Sequence, residues 1–114
     1  MESYSRIRSI KLKRPTPEHP FGFSVRGGHE HGTGIFVSYV DTRSLAYRQG
    51  LKVGDQILRV NGYPVSAAVH HECLSLMRTR TSLHLKVRRI FETDEIFIPH
   101  IENGERYIDD VRHH

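Results

Sequence analysis

The sequence has little of what extracellular and membrane-spanning proteins need. Among its 114 residues there is one cysteine, Cys73, which cannot form an internal disulfide. No apolar run approaches the ~20 residues of a membrane-spanning helix. Residues 1–9 are polar and basic and lack the apolar region of a secretory signal. Together these absences favour a reducing, cytoplasmic compartment.

A strong excess of charge of one sign is also lacking. The chain has 17 Lys and Arg against 13 Asp and Glu, a formal net charge of +4, and its basic residues are spread along the sequence. A solvated surface explains this distribution, and no nucleic-acid partner is expected. Because pairing of two strands can gather dispersed charges, binding of anionic lipid through a basic surface stays an open alternative.

Signatures of catalysis, metal binding and cofactors are missing as well. The nine histidines show no Cys or His spacing that matches a zinc site. Cys73 falls on an apolar helix face, which is typical of an inert buried thiol. The glycines match neither a phosphate loop nor a dinucleotide fingerprint. We therefore expect a binding module rather than an enzyme, with no metal and no cofactor.

What the sequence does contain is a series of short, alternating apolar segments that predict β-strands. The predicted strands cover 8–13, 21–26, 34–40, 56–60, 63–65 and 82–88. With two helices between them, the order is β-β-β-α-β-β-α-β. This order predicts one α+β domain, a partly open barrel or sandwich of five to six strands with two helices.

Capping residues delimit the two predicted helices. The first is short and follows the Ser44 cap, with Gly50 in the left-handed position after its end. The second is capped by Ser66 and runs from residue 67 or 68 to Arg78. It has two apolar stripes at spacings of three and four residues. The first stripe consists of Val69, Cys73 and Leu76, and the second of His70, Leu74 and Met77. Since one stripe anchors a helix, the second either lines a groove or belongs to a wide core-facing surface with His70 at its rim.

The segment Phe21-Gly22-Phe23 indicates what lies across from that second stripe. A glycine between two apolar residues lets backbone N–H groups point into a concavity, where they bind anions. A peptide α-carboxylate is a suitable anion, because it needs several donors in a small site. An ordinary glycine bulge at the start of a strand is the alternative.

The residues from Phe91 onward differ from the rest of the chain. The stretch 92–95 is acidic and is expected to be a linker. Residues 96–108 are β-prone around the turn signal Asn103-Gly104 and predict a β-hairpin. A lone hairpin is marginal in water, so it should dock on the body or mediate homo- or hetero-oligomerisation. His113 and His114 are interpreted as the start of an expression tag.

Four segments together resemble a PDZ domain. They are Pro20-Phe21-Gly22-Phe23, Gly34-Ile35-Phe36-Val37, the run from Gly50-Leu51 through Gly54-Asp55 to Asn61-Gly62, and His70-His71-Glu72. The Gly-Leu-x-Val-Gly-Asp-x-Ile-Leu-x-Val-Asn-Gly pattern is highly specific for this family. The resemblance spans residues 8–90, with extensions at 1–7 and 91–114. Ser24 to Gly32 and Gly62-Tyr63 are similar to the harmonin/whirlin group of scaffold PDZ domains, some of which carry a hairpin extension.

The resemblance implies a binding mode, β-strand addition. A partner's last residues would lie antiparallel to the second strand, between it and the second helix. The terminal carboxylate would be held by the amides of Phe21, Gly22 and Phe23. The other implied contacts are Ser24, Val25, Arg26, Ser38, His70, Leu74 and Met77. His70 would accept a hydrogen bond from a Ser or Thr two residues before the end, so the expected ligand ends Ser/Thr-x-hydrophobic.

The partners implied by the resemblance are C-terminal peptides of membrane receptors, adhesion proteins or scaffold proteins, at a submembranous or cytoskeletal location. The sequence departs from the family at Pro20, where glycine is usual. Proline lacks an N–H, but the donors are expected from the three following residues, so the loop should be stiffer. Lys13 and Arg14 are candidates for supporting the carboxylate through water.

Overall fold

The architecture is seen in a computed structural model that describes residues 3–92, 95–96 and 109–110. The strands are β1 (Ser3–Lys13), β2 (Phe23–Gly27), β3 (Ile35–Val40), β4 (Gln56–Val60), β5 (Tyr63–Pro64), β6 (Ser82–Glu92), β7 (Glu95–Ile96) and β8 (Asp109–Asp110). The helices are α1 (Leu45–Arg48) and α2 (His70–Arg78), with one 3-10 turn at His29–His31. Up to β6, the order of strands and α-helices is the predicted one.

All strands pair antiparallel in a single sheet, in the order β1-β6-β4-β3-β2-β8. Among the described residues, the short strand β5 pairs only with β4, and the short strand β7 pairs only with β6. Within the described ranges no ladder joins β1 to β8, so the sheet is open rather than a closed barrel. Pro64 lies in β5, which has one neighbouring strand, so its missing N–H interrupts no central ladder.

One cluster of buried side chains joins the sheet to both helices. Its members include Ile10 and Leu12 of β1, Ala46 of α1, Cys73, Leu74 and Met77 of α2, and Leu83, Leu85 and Val87 of β6. In β6 the buried residues alternate with the exposed His84, as the sequence pattern predicts. This alternation fixes which face of the strand packs on the core.

Two strands are longer than predicted, and the reason is pairing rather than burial. β1 begins at Ser3 instead of residue 8, and β6 continues to Glu92. The two strands pair along their whole length, from Ser3 opposite Glu92 to Lys13 opposite Ser82. Ile7 lies in the added part and is 55% exposed, so hydrophobic patterning carries no sign of this extension.

The two ends of the acidic stretch 92–95 lie in strands and not in the predicted linker, while residues 93 and 94 lie outside the described residues. Glu92 ends β6 and pairs with Glu95 of β7, while Phe91 pairs with Ile96. Backbone pairing therefore extends to both ends of this acidic stretch. The hairpin predicted over 96–108 lies outside the described residues, except for Ile96.

The prediction for α1 is confirmed, and the predicted start of α2 is wrong. The Ser44 hydroxyl accepts a hydrogen bond from the Tyr47 N–H at 3.1 Å, and Gly50 has the left-handed φ of +92°. In contrast, α2 begins at His70, after Val69 rather than after Ser66. Valine has no oxygen to cap a helix, so carboxylates from elsewhere accept the first N–H groups.

Candidate functional site

Apolar side chains from the loop before β2, from β2 and from α2 belong to one buried cluster, and we call the region between β2 and α2 the β2–α2 groove. Phe21, Phe23 and Val25 come from the loop and strand, and Leu74 and Met77 from the helix; all five are at most 3% exposed. The second predicted helix stripe therefore packs against β2. In the first stripe only Cys73 is fully buried, since Val69 and Leu76 are half-buried.

The Phe21–Phe23 loop is pressed against the turn before α1. Gly22 has a φ of +95°, and a Cβ at this position would overlap the Ser44 side chain. The Gly22 carbonyl accepts a hydrogen bond from the Asp41 N–H at 2.8 Å. Glycine is thus required both by the backbone conformation and by the close approach.

Two backbone N–H groups of this loop indicate what kind of ligand group it can bind. Within the described ranges, the backbone N–H groups of Phe21 and Gly22 donate no hydrogen bond. Both residues are buried, and the loop lies at the start of β2. Buried N–H groups are rarely left unpaired, so this loop is suited to bind an acceptor such as a carboxylate.

At the other end of the groove, His70 links the start of α2 to the end of β2. Its ring Nδ1 lies 2.8 Å from the Gly27 carbonyl oxygen. A carbonyl can only accept, so Nδ1 carries the proton of this hydrogen bond. In the neutral ring Nε2 is then an acceptor. The ring is 6% exposed and fixed in orientation by this contact.

Glu30 supplies the cap that the α2 sequence lacks. Its carboxylate accepts the His70 N–H at 3.0 Å, from the 3-10 turn that follows β2. Burial by itself would raise the pKa of Glu30, but the hydrogen bond from the His70 backbone and nearby His31 hold it below the usual value. Glu72 adds a second cap by accepting the Val69 N–H at 3.0 Å. The sequence analysis did not identify Glu30, because no local pattern connects residues 40 positions apart.

Arg14 joins the loop to the C-terminal end of α2. Its guanidinium donates to the carbonyls of His19, Met77, Arg78 and Arg80 at 2.7 to 3.0 Å, and it stacks over the Phe21 ring at 3.9 Å. Three of these acceptors are carbonyls at the helix end or just beyond it, which have no partner within the helix. Burial lowers the pKa of Arg14 from its ordinary value. Arg14 is 6% exposed and therefore positions both walls of the groove.

This finding changes the interpretation of the basic residues near the loop. The sequence analysis proposed Lys13 or Arg14 as a water-mediated support for a carboxylate. Lys13 is exposed, and four donor contacts of Arg14 are already directed to backbone carbonyls. The observed part played by Arg14 is to fix the backbone geometry of the loop.

The polar residues predicted along β2 lie at a register shift. Ser24 is opposite Tyr39 and Val25 is opposite Val37, so Ser38 is the extra residue of a β-bulge. Ser24 is buried, and the buried hydroxyl of Ser38 has no partner among the described residues. The Arg26 side chain is half-buried beside them. The structure thus places the ten predicted site residues in the loop before β2, in β2 itself, in the neighbouring β3 or in α2.

No catalytic or metal chemistry is built into the described part of the chain. Burial raises the pKa of the Cys73 thiol to about 12, which removes its nucleophilic character near neutral pH. Among the residues searched, no group of three His, Cys, Asp or Glu could hold a metal ion. The described helices are also too short and polar to cross a membrane.

Sequence comparison finds the same segment in known proteins. Residues 9–88 match the PDZ domain family. Human whirlin is 44% identical over 81 residues, which cover 71% of this chain and 9% of whirlin. Mouse PDZ domain-containing protein 7 is 43% identical over 84 residues, covering 74% and 8%. The chain therefore spans less than a tenth of the length of these relatives.

Structural comparison leads to the same family. The second PDZ domain of Dlg1 from the choanoflagellate Monosiga brevicollis superposes with a TM-score of 0.65 at 29% identity, covering 72% of this chain and 97% of that one. A choanoflagellate SHANK1 PDZ domain, bound to a GIRK3 peptide, gives 0.65 at 28% identity, covering 75% and 94%. By its family match, its relatives and its fold, this chain belongs to the PDZ domains, which are protein-interaction modules and not enzymes.

Proposed function

We propose that this domain binds the free C-terminus of partner proteins by adding the partner's last residues as an antiparallel strand beside β2. The observation that carries this proposal is the loop at the start of β2, where the Phe21 and Gly22 N–H groups have no described partner. An α-carboxylate offers two acceptor oxygens to such donors. In support, the SHANK1 domain of similar fold was solved with a bound peptide.

The groove also favours particular ligand side chains. With Nδ1 donating to Gly27, the Nε2 atom of neutral His70 can accept a hydrogen bond from a Ser or Thr hydroxyl. Phe21, Phe23, Leu74 and Met77 form an apolar wall near the loop, which suits a hydrophobic last residue. We therefore propose ligands that end Ser/Thr-x-hydrophobic.

The decisive experiment compares two forms of one peptide. A labelled peptide ending Thr-x-Leu is titrated with a free carboxylate and with an amidated C-terminus, and affinity is measured by fluorescence anisotropy. We expect amidation to weaken binding by about 10- to 100-fold, since hydrogen bonds to a charged group contribute about 1.5–3 kcal/mol. A peptide ending Thr-x-Asp keeps the carboxylate and serves as the control for the hydrophobic residue. Equal affinity for the free and amidated forms would contradict the proposal.

The partners that we propose are membrane receptors, adhesion proteins and scaffold proteins with accessible C-termini. We also propose a cytoplasmic location at the membrane or cytoskeleton. A single buried cysteine is consistent with a reducing compartment. Co-precipitation from a cytosolic fraction, with and without competing free-carboxylate peptide, tests both statements.

A cavity lined by basic residues of β1 supports a second candidate function, contact with anionic lipid. Lys11, Lys13 and His84 surround a cavity of about 360 Å³ whose lining includes Leu12 and Leu83. Cations around an apolar cleft suit a lipid headgroup with part of its chain. Sedimentation with phosphatidylserine vesicles tests this: we expect binding that falls steeply with salt and is lost in K11E/K13E. Equal binding to neutral vesicles would exclude it.

A further inference from the structure

The outer edge of β2 is already paired in this chain. Residues of β8 form an antiparallel ladder with β2, in which Asp110 lies opposite Ser24 and Asp109 opposite Val25. This is the edge where the proposed partner strand would add. We propose that the 109–110 segment is an internal ligand of the groove, which competes with free C-termini; this inference rests on the proposed function.

The direction of β8 matches the direction that a C-terminal ligand requires. β2 runs away from the Phe21–Phe23 loop, so an antiparallel strand approaches the loop as its residue numbers increase. Asp110, the later of the two residues, lies opposite Ser24, which is nearer to the loop than Val25. The chain's own segment and a partner's C-terminus therefore need the same backbone groups of β2 in the same orientation. Both cannot be bound together.

The segment also defines a class of ligand that differs from a C-terminus. At least four residues follow Asp110 in the sequence, so the paired residues are internal to the chain. Strand pairing requires backbone N–H and C=O groups but no terminal carboxylate. The groove should therefore accept internal acidic segments by ladder pairing, with weaker binding than a C-terminus that also engages the loop donors.

Charge complementarity favours this pairing. Residues 1–90 hold 15 Lys and Arg against 6 Asp and Glu, a formal charge of +9. Residues 91–114 hold 2 Lys and Arg against 7 Asp and Glu, a formal charge of −5. Arg26 follows Val25 in β2, so a cation is present in the strand that pairs with the two aspartates. Attraction between these two parts of the chain should be weakened by salt.

Because the ligand is part of the same chain, it acts at a high effective concentration. A segment tethered to its own binding site acts at an effective concentration that reaches the order of millimolar. If the dissociation constant of the internal segment is a few times smaller than this effective concentration, the segment occupies the site most of the time. The apparent affinity for an external peptide then falls by about three- to tenfold.

The test uses the full chain and its D109P/D110P variant, in which proline removes the backbone donors of β8. The control variant E102P/E105P loses the same charge and gains the same prolines but keeps Asp109 and Asp110. Affinity is measured for the Thr-x-Leu peptide in its free and amidated forms. We expect the free peptide to bind D109P/D110P three- to tenfold more tightly than the native chain, with E102P/E105P close to native. Hydrogen exchange at Ser24 and Val25 should be faster in D109P/D110P without peptide.

The outcomes separate this inference from the proposed function. If all three proteins bind the free peptide equally well and prefer it to the amidated form, the internal ligand is excluded and C-terminal recognition stands. If none distinguishes the two peptide forms, the proposed function fails, and this inference fails with it. If E102P/E105P gains as much affinity as D109P/D110P, the effect does not come from pairing at residues 109–110, and the inference is again excluded.

Discussion

At one end of the groove Arg14 joins the Phe21–Phe23 loop to the end of α2, and at the other Glu30 and His70 join β2 to the start of α2. The first contact uses a buried guanidinium whose charge is permanent near neutral pH and which donates to four carbonyls. The second uses the Glu30 carboxylate, which is 41% exposed and has a pKa lowered by the hydrogen bond from the His70 backbone, together with the buried His70 ring. The two ends are thus fixed by groups of different burial and different response to pH.

In the proposed binding mode, the difference corresponds to what each end would recognise. A terminal carboxylate is the same in every ligand, so a rigid loop held by Arg14 suits it. The residue two positions earlier varies between ligands, and His70 can accept from a hydroxyl when it is neutral. We expect substitutions at the Arg14 end to affect mainly the stability of the fold, and substitutions at the His70 end to affect mainly the preference among ligands.

Replacement of Arg14 by Met should have the largest effect. The variant removes one buried and three part-buried hydrogen bonds to backbone carbonyls, and we expect the free energy of unfolding to fall by about 2–4 kcal/mol. Urea denaturation measures this loss. The neighbouring exposed Lys13→Met is the control, with an expected change within about 0.5 kcal/mol. A loss at Arg14 no larger than at Lys13 would show that the four hydrogen bonds do not hold this end.

Gly22→Ala tests the loop itself, and Gly32→Ala separates two causes of its effect. Both glycines have positive φ, +95° and +71°, but a Cβ at Gly32 meets nothing within 4 Å. We expect a loss of stability of about 2–3 kcal/mol for Gly22→Ala and about 1 kcal/mol for Gly32→Ala. Thermal unfolding of both variants measures the difference. Equal losses would assign the effect to backbone conformation alone and not to contact with Ser44.

His70→Ala should change ligand preference more than stability. We expect peptides ending Thr-x-Leu to lose about 1 kcal/mol of binding free energy, the net contribution of one hydrogen bond. Peptides with Val in place of Thr should lose much less. Isothermal titration calorimetry of both peptides with the native chain and with His70→Ala gives the coupling free energy between His70 and the threonine. An equal loss for the two peptides would mean that His70 acts by packing.

Glu30→Gln should have the smallest effect, and one that depends on pH. Because the folded-state pKa of Glu30 lies below its ordinary value of 4.5, the carboxylate stabilises the fold above that value. This contribution is lost as the pH falls through the folded-state pKa. After allowance for solvent screening, we expect Glu30→Gln to lower the free energy of unfolding by less than about 1 kcal/mol at pH 7. The difference in stability between the native chain and the variant should narrow below pH 4.5. Melting curves from pH 7 to 3, with exposed Glu18→Gln as control, measure it.

Sequence patterns predicted the fold and the site residues to different degrees. The order of strands and helices along the chain, the Ser44 cap of α1 and the left-handed conformation of Gly50 follow from local alternation and turn chemistry. The structure confirms all three. The start of α2 was predicted wrongly, because its first N–H is accepted by Glu30, which is 40 residues away. The binding roles assigned to the groove residues remain predictions, which the peptide titrations test.

The sequence by itself determined the order of the six strands up to β6 and which glycines and apolar residues line the loop, since these depend on spacings of two to four residues. Only the tertiary structure decided how Arg14 is used, because the Met77 carbonyl that it binds is 63 positions away. The same holds for the pairing of β2 with residues 109–110, which local pattern does not encode. An edge strand accepts any backbone with the right geometry, so its partner is chosen by tertiary proximity and charge.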